Sequence, residues 1–255
     1  MAELKGDLGK YLSGMPIMVA GANVAVSQPS VKDICAFGET DFFMSIELFV
    51  KSKEIADRIK DEGKSQLGFM NDFQVLLVMI QEHNETKDNV DKLFKLIFPN
   101  YLIEYDTGCI NFRTDENGPI VGQLNPLNFD NFKTTLKELF LPSGGSDDEP
   151  EFNPGSDKAA EIAAKLNKGR QMRQELKSGG KQKISSVYAN YVSALSVGLA
   201  MNINELYNYT PFQLLDAFKR YAAKMAYDLY QRVSTMPMMD VSKMDEPKNW
   251  VDDLY

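Results

Sequence analysis

Histidine, cysteine and tryptophan are scarce in this chain of 255 residues: one His (His83), two Cys (Cys35 and Cys109) and one Trp (Trp250). So few imidazoles and thiols leave little material for a zinc site or a histidine-based catalytic centre. Neither GxxxxGK[ST] nor GxGxxG occurs, so no phosphate-cradling glycine loop is expected. No long hydrophobic run occurs either. The longest strongly apolar stretch, residues 73–80, falls far short of the about 20 residues a bilayer span needs. The first residues lack a basic region followed by an apolar one, so no secretory signal is expected. Basic excess is missing too. With 28 basic and 36 acidic residues the net charge is −8, which argues against phosphate-backbone binding as the main task. These absences predict a cytoplasmic protein with two buried, reduced thiols, no metal, no cofactor, no nucleic-acid partner and no membrane contact.

What is present is ordinary globular material: 44% hydrophobic and 25% charged residues. The expected fold class is mainly α with a small β element. Residues 1–141 read as an α+β N-terminal domain, residues 142–156 as a flexible acidic linker, and residues 157–255 as a helical C-terminal domain. The linker is rich in Pro, Gly, Ser and acid and cannot build a core. Two short strands flank Ala20-Gly21-Ala22. Ser30 with Asp33 marks a capped helix start. Phe42, Ile46, Phe49, Ala56 and Ile59 recur at helical spacing, which predicts a long amphipathic helix to about Glu62. Further helices follow around Phe73–Ile80 and Val90–Ile97. A hairpin then turns at Asp106-Thr107-Gly108, a third strand starts at Ile120, and Phe129 to Phe140 closes the first part.

In the second part a polar, basic helix is expected over residues 157–177, and another along Ile184, Tyr188, Tyr191 and Leu195. Thr210-Pro211-Phe212-Gln213 is the strongest local signal: an N-cap, a proline at the first helical position and the glutamine of a capping box. Behind it Leu214, Phe218, Tyr221, Met225 and Leu229 form a stripe. Asp216–Arg220 and Asp228–Arg232 are spaced to pair along the same helix.

Each candidate for chemistry stands beside a plainer reading. Asp106-Thr107-Gly108 has the form of the aspartic-protease triplet, but that chemistry needs two carboxylates sharing a proton and no second copy occurs, so a hairpin turn is favoured. His83 sits where a helix ends, and a capping role is favoured over a general base. The basic run from Lys165 to Lys183 lacks aromatics that could stack on bases and reads as a solvated helix. Four of the thirteen methionines (Met236, Met238, Met239, Met244) fall in the last twenty residues, and such a surface adapts to partners. Packing of this tail back on its own domain is the competing reading.

Residues 184–255 resemble the tail-assembly chaperones of long-tailed bacteriophages of Gram-positive hosts. The resemblance is carried by Leu199 through Asn204, by Leu206-Tyr207-Asn208-Tyr209-Thr210-Pro211-Phe212-Gln213-Leu214-Leu215-Asp216-Ala217-Phe218, by Tyr227-Asp228-Leu229-Tyr230, and by Lys248-Asn249-Trp250-Val251-Asp252-Asp253. Val26 to Ile34 and Phe37-Gly38-Glu39 are similar to the start of such proteins. These are hydrophobic and capping patterns, not catalytic signatures. The resemblance implies a non-catalytic protein of the host cytoplasm that holds the tape-measure protein soluble during tail morphogenesis. Tail-tube subunits are a further implied partner, and self-association stays open. It also implies absence from the finished virion and, in many such phages, a short form ending near the linker with the second part added by a ribosomal frameshift. Phe212, Phe218, Met236, Met238, Trp250 and Leu254 are the expected partner contacts. The alternatives are a structural virion component such as a head–tail connector, and an enzyme centred on Asp106 or His83.

Overall fold

A computed structural model describes residues 8–52, 54, 57, 70–141, 186–236, 247, 250 and 251. The expected linker at 142–156, the basic helix at 157–177 and the residues Ala56, Ile59, Met238, Met239, Met244 and Leu254 lie outside them. Among the described residues the fold is mainly α with two small antiparallel sheets.

The chain opens with α1 (Leu8–Ser13), then β1 (Ile17–Val19) and β2 (Val24–Val26), which pair with Ile17 opposite Val26. α2 (Val31–Phe37) starts at the capping box seen in the sequence: Ser30 Oγ accepts from Asp33 N–H at 3.2 Å, and Asp33 Oδ2 accepts from Ser30 N–H at 3.1 Å. The long helix expected beyond Ser30 is broken. α2 stops at Gly38, where φ is 104°, and α3 (Glu39–Val50) begins on the next residue. That backbone region favours glycine because it has no Cβ to clash. The apolar spacing runs on across the break and hides it, because Val31, Ile34, Phe42, Ile46 and Phe49 are all buried.

α4 (Asp72–Glu82) is capped reciprocally by Asn71 and Gln74. His83 ends α4, its carbonyl accepts from Lys87 N–H in α5 (Asn84–Ile97), and its side chain is exposed. β3 (Leu102–Asp106), β4 (Cys109–Arg113) and β5 (Ile120–Leu124) follow in the order β3-β4-β5. α6 (Phe129–Phe140) closes the first part. The centre is aromatic. Phe98 is fully buried among Phe94, Tyr101, Phe112 and Phe132, with ring centroids 4.8–6.3 Å away.

α7 (Val187–Leu199), α8 (Ile203–Tyr207) and α9 (Pro211–Ser234) complete the described chain. Their residues Tyr188, Val192, Leu195, Leu206, Phe212 and Leu214 enter the same apolar cluster as Tyr11, Val31, Phe42 and Phe140. Both thiols are free. Cys109 is half-buried, but Cys35 is exposed rather than buried, because it occupies the solvent side of α2 while Val31 and Ile34 turn inward.

Three tyrosines give the core an alkaline limit. Tyr11 donates to Glu138 Oε2 (2.6 Å), Tyr105 to Asp91 Oδ1 (2.6 Å) and Tyr188 to the Phe140 carbonyl (3.4 Å). Burial pushes all three phenols above their ordinary range. The bonded carboxylates add to this at Tyr11 and Tyr105, and the charge of Glu39 adds to it at Tyr188. The folded state therefore keeps these protons while the unfolded chain releases them. Stability from this source is whole below about pH 10 and falls as the pH rises further. Phenolate absorbance followed together with unfolding should show these three groups ionising only as the fold is lost.

Candidate functional site

α9 is 24 residues long and its two halves live in different surroundings. Its start is fixed locally: Thr210 Oγ1 accepts from Gln213 N–H (3.3 Å), Gln213 Oε1 accepts from Thr210 N–H (2.8 Å), and Pro211 supplies a preset helical φ. Pro211, Phe212, Leu214 and Asp216 are buried. The Phe212 ring lies 5.0 Å from Tyr11, and Phe218, half-buried, lies 4.6 Å from Tyr191. Beyond Asp216 no residue of the helix is buried. Ala217, Phe218 and Tyr221 still pack against the core, so the projecting stretch with no buried or core-packed residue among those described is 222–234, about 20 Å at 1.5 Å per residue.

This projecting half carries an apolar seam. Leu215, Phe218, Ala222, Met225, Leu229 and Met236 follow at steps of three, four or seven, the spacing that aligns side chains for a facing helix. Leu215 and Phe218 are half-buried, whereas Met225, Leu229 and Met236 are 52%, 60% and 51% exposed. Ion pairs lie to the sides. Arg220 Nε reaches both Asp216 oxygens at 3.1 and 3.2 Å, and Lys224 Nζ lies 2.6 Å from Asp228 Oδ2. The first pair is the one expected. In the second, Asp228 meets the lysine one turn before it, whereas the sequence suggested Arg232 after it. Asp216 is only 7% exposed, so this side of the helix is not uniformly solvated. Burial pushes the Lys219 ammonium below its ordinary range, and Asp216 draws it part of the way back. Pairs of this kind contribute about 0.2–0.5 kcal/mol each. That is too little to hold the helix past Tyr221 in water, where tertiary packing supplies most helical stability.

The expected contact residues separate. Phe212, 5% exposed, is a core residue and offers almost no surface. Phe218 anchors the helix on Tyr191, at the foot of the seam. Met236 lies just past the helix end and is 51% exposed. Trp250 is 39% exposed, and its carbonyl accepts from Arg220 Nη1 at 3.0 Å. The tail therefore touches α9 about half a turn round from the seam. Met225 and Leu229 were visible as part of a stripe, but nothing local marked them as its uncovered end.

The two residues of the catalytic alternative are both at the surface. Asp106 is exposed at the hairpin tip, where its Oδ1 accepts from Thr107 N–H at 2.7 Å and Gly108 takes φ 88°. Its carboxylate is engaged in the turn that Asp and Gly make possible. Among the described residues no group of three or more His, Cys, Asp or Glu is placed to hold a metal ion, and no helix is long and apolar enough to cross a membrane.

Protein-family models, curated proteins and solved structures yield no significant match to this chain.

Proposed function

We propose that this chain is a phage tail-assembly chaperone that acts in the host cytoplasm by covering an apolar helical stretch of the tape-measure protein, with tail-tube subunits as a second client. The observation that carries the reading is the exposed pair Met225 and Leu229 on a helical stretch past Tyr221 with no buried residue, followed by exposed Met236. A long helical client prone to aggregation would lay its own apolar face into this seam, as amphipathic helices do in grooves. The client would be shielded without any bond being made or broken. The residue patterns of segments 199–218, 227–230 and 248–253 supply the class of client.

The test is co-expression with the neighbouring long helical reading frame. Full-length chain is expected to move that partner from the pellet into the soluble fraction, and to be missing from purified particles by mass spectrometry. A partner equally soluble without the chain would sink the proposal, and abundant chain in mature particles would favour the virion-component reading. Truncation of the second part is a poor control, since Tyr188, Val192, Leu195 and Leu206 complete the core of the first. Point changes on the seam are the right control.

A further inference from the structure

We propose that residues 8–141 form a receptor for the segment 186–214, and that this receptor accepts the segment from a second copy of the chain once the link to its own is cut. The inference does not depend on the chaperone reading.

The receptor recognises a helix start. The Glu39 carboxylate accepts from Ser186 Oγ–H, from Val187 N–H at 2.6 Å and from Tyr188 N–H at 3.2 Å. Those amides are among the donors that the first turn of a helix leaves without partners, and a negative charge there also meets the positive end of the helix dipole. Glu39 itself begins α3, so one carboxylate lies at the starts of two helices. Behind it the Tyr188 ring is fully buried, stacked on Phe43 at 5.5 Å, and its hydroxyl donates to the Phe140 carbonyl. Val192 and Leu195 follow on the same face, one and two turns on.

A second clasp holds the far end. Val31 N–H donates to the Tyr209 carbonyl at 2.8 Å, Gln213 Nε2 donates to the Leu12 carbonyl at 2.7 Å, and Phe212 rests on Tyr11. These bonds resemble a folded interface between two partners, with polar contacts at each end and an apolar centre.

The chain leaves the receptor at Phe140–Leu141 and re-enters at Ser186–Tyr188, and the two points touch through the Tyr188 hydroxyl and the Phe140 carbonyl. Attachment supplies local concentration, on the order of millimolar for a linked segment. A chain's own segment holds the site in dilute solution, and a second copy's segment takes it once the link is opened.

The experiment uses the full chain with one specific protease site placed within residues 142–185. After cleavage the two pieces are expected to elute together at low micromolar concentration with an unchanged circular dichroism spectrum. Glu39→Arg, which sets a positive charge against the helix start, is expected to weaken the cut complex by roughly tenfold or more. Glu39→Gln keeps a carbonyl acceptor and is expected to weaken it less. Cut chain and isotope-labelled cut chain, incubated together until the intact-mass distribution stops changing, should yield mixed pairs by native mass spectrometry. Pieces that separate on cleavage, or that keep only their original partners at the end of the incubation, overturn the proposal.

Discussion

Replacing Met225 and Leu229 together by glutamine is expected to return the co-expressed partner to the pellet while changing the melting temperature by less than about 4 °C. The second half of this statement follows from exposure. Both side chains are more than half exposed, glutamine is nearly as good a helix former as leucine or methionine, and exposed substitutions of this kind shift stability by about 0.5 kcal/mol or less. The first half follows from burial in a complex. Each of these side chains is worth about 1.5–3 kcal/mol when fully covered by a partner, so losing two costs a hundredfold or more in affinity, to order of magnitude. Thermal unfolding and the soluble fraction of the partner check the two halves on the same variant. A doubly substituted chain that still solubilises the partner in full would show that the seam is not the contact. A chain whose melting point collapses would show that the seam is already covered within its own fold.

Phe98→Ala is expected to act in the opposite way, lowering stability by about 3–5 kcal/mol while touching no surface a partner could meet. Phe98 follows α5 directly and is fully buried. Its ring contacts α5 through Phe94, α6 through Phe132 at 6.1 Å, and β4 through Phe112 at 4.8 Å. Truncation to a methyl removes the side chain on which three elements converge, and rings held by several neighbours cannot all move in to close the space. Urea unfolding should show a lower midpoint with little change in slope, because the surface exposed on unfolding hardly alters. A loss below about 1 kcal/mol would mean that the cluster repacks freely.

The local devices of this fold were readable in the residues. Ser30 with Asp33 and Thr210 with Pro211 and Gln213 are caps whose partners lie within one turn, so their meaning is contained in a few adjacent positions. The helical spacing of Phe73, Leu76, Leu77 and Ile80, and the hairpin at Asp106-Thr107-Gly108, were readable for the same reason. The break at Gly38 was not, since the apolar period continues across it and only the backbone angle reverses. Glu39 was not readable as a cap either, because the donors it serves lie 147 to 149 positions further on. The site shows the same division. Leu214 and Leu229 belong to one stripe with one period, yet one is fully buried and the other is 60% exposed. Periodicity reports which side of a helix is apolar, and it does not report where the neighbouring helices end. Phe212 belongs to the apolar pattern from which the contacts are expected, but the cap at Thr210 turns the first helical residues inward and settles it on Tyr11.

Gln213 has a consequence for the order of events during translation. Its amide secures the Leu12 carbonyl near the end of the opening helix across a separation of 201 positions. At about 5–20 residues per second, the nascent chain waits about 10–40 s between making Leu12 and making the residue that fastens it. During that interval the early helices lack the lid that buries Tyr11 and Val31. Closure of this core is therefore a late event, since a chain that has not yet reached Phe212 leaves Tyr11 without the ring that covers it.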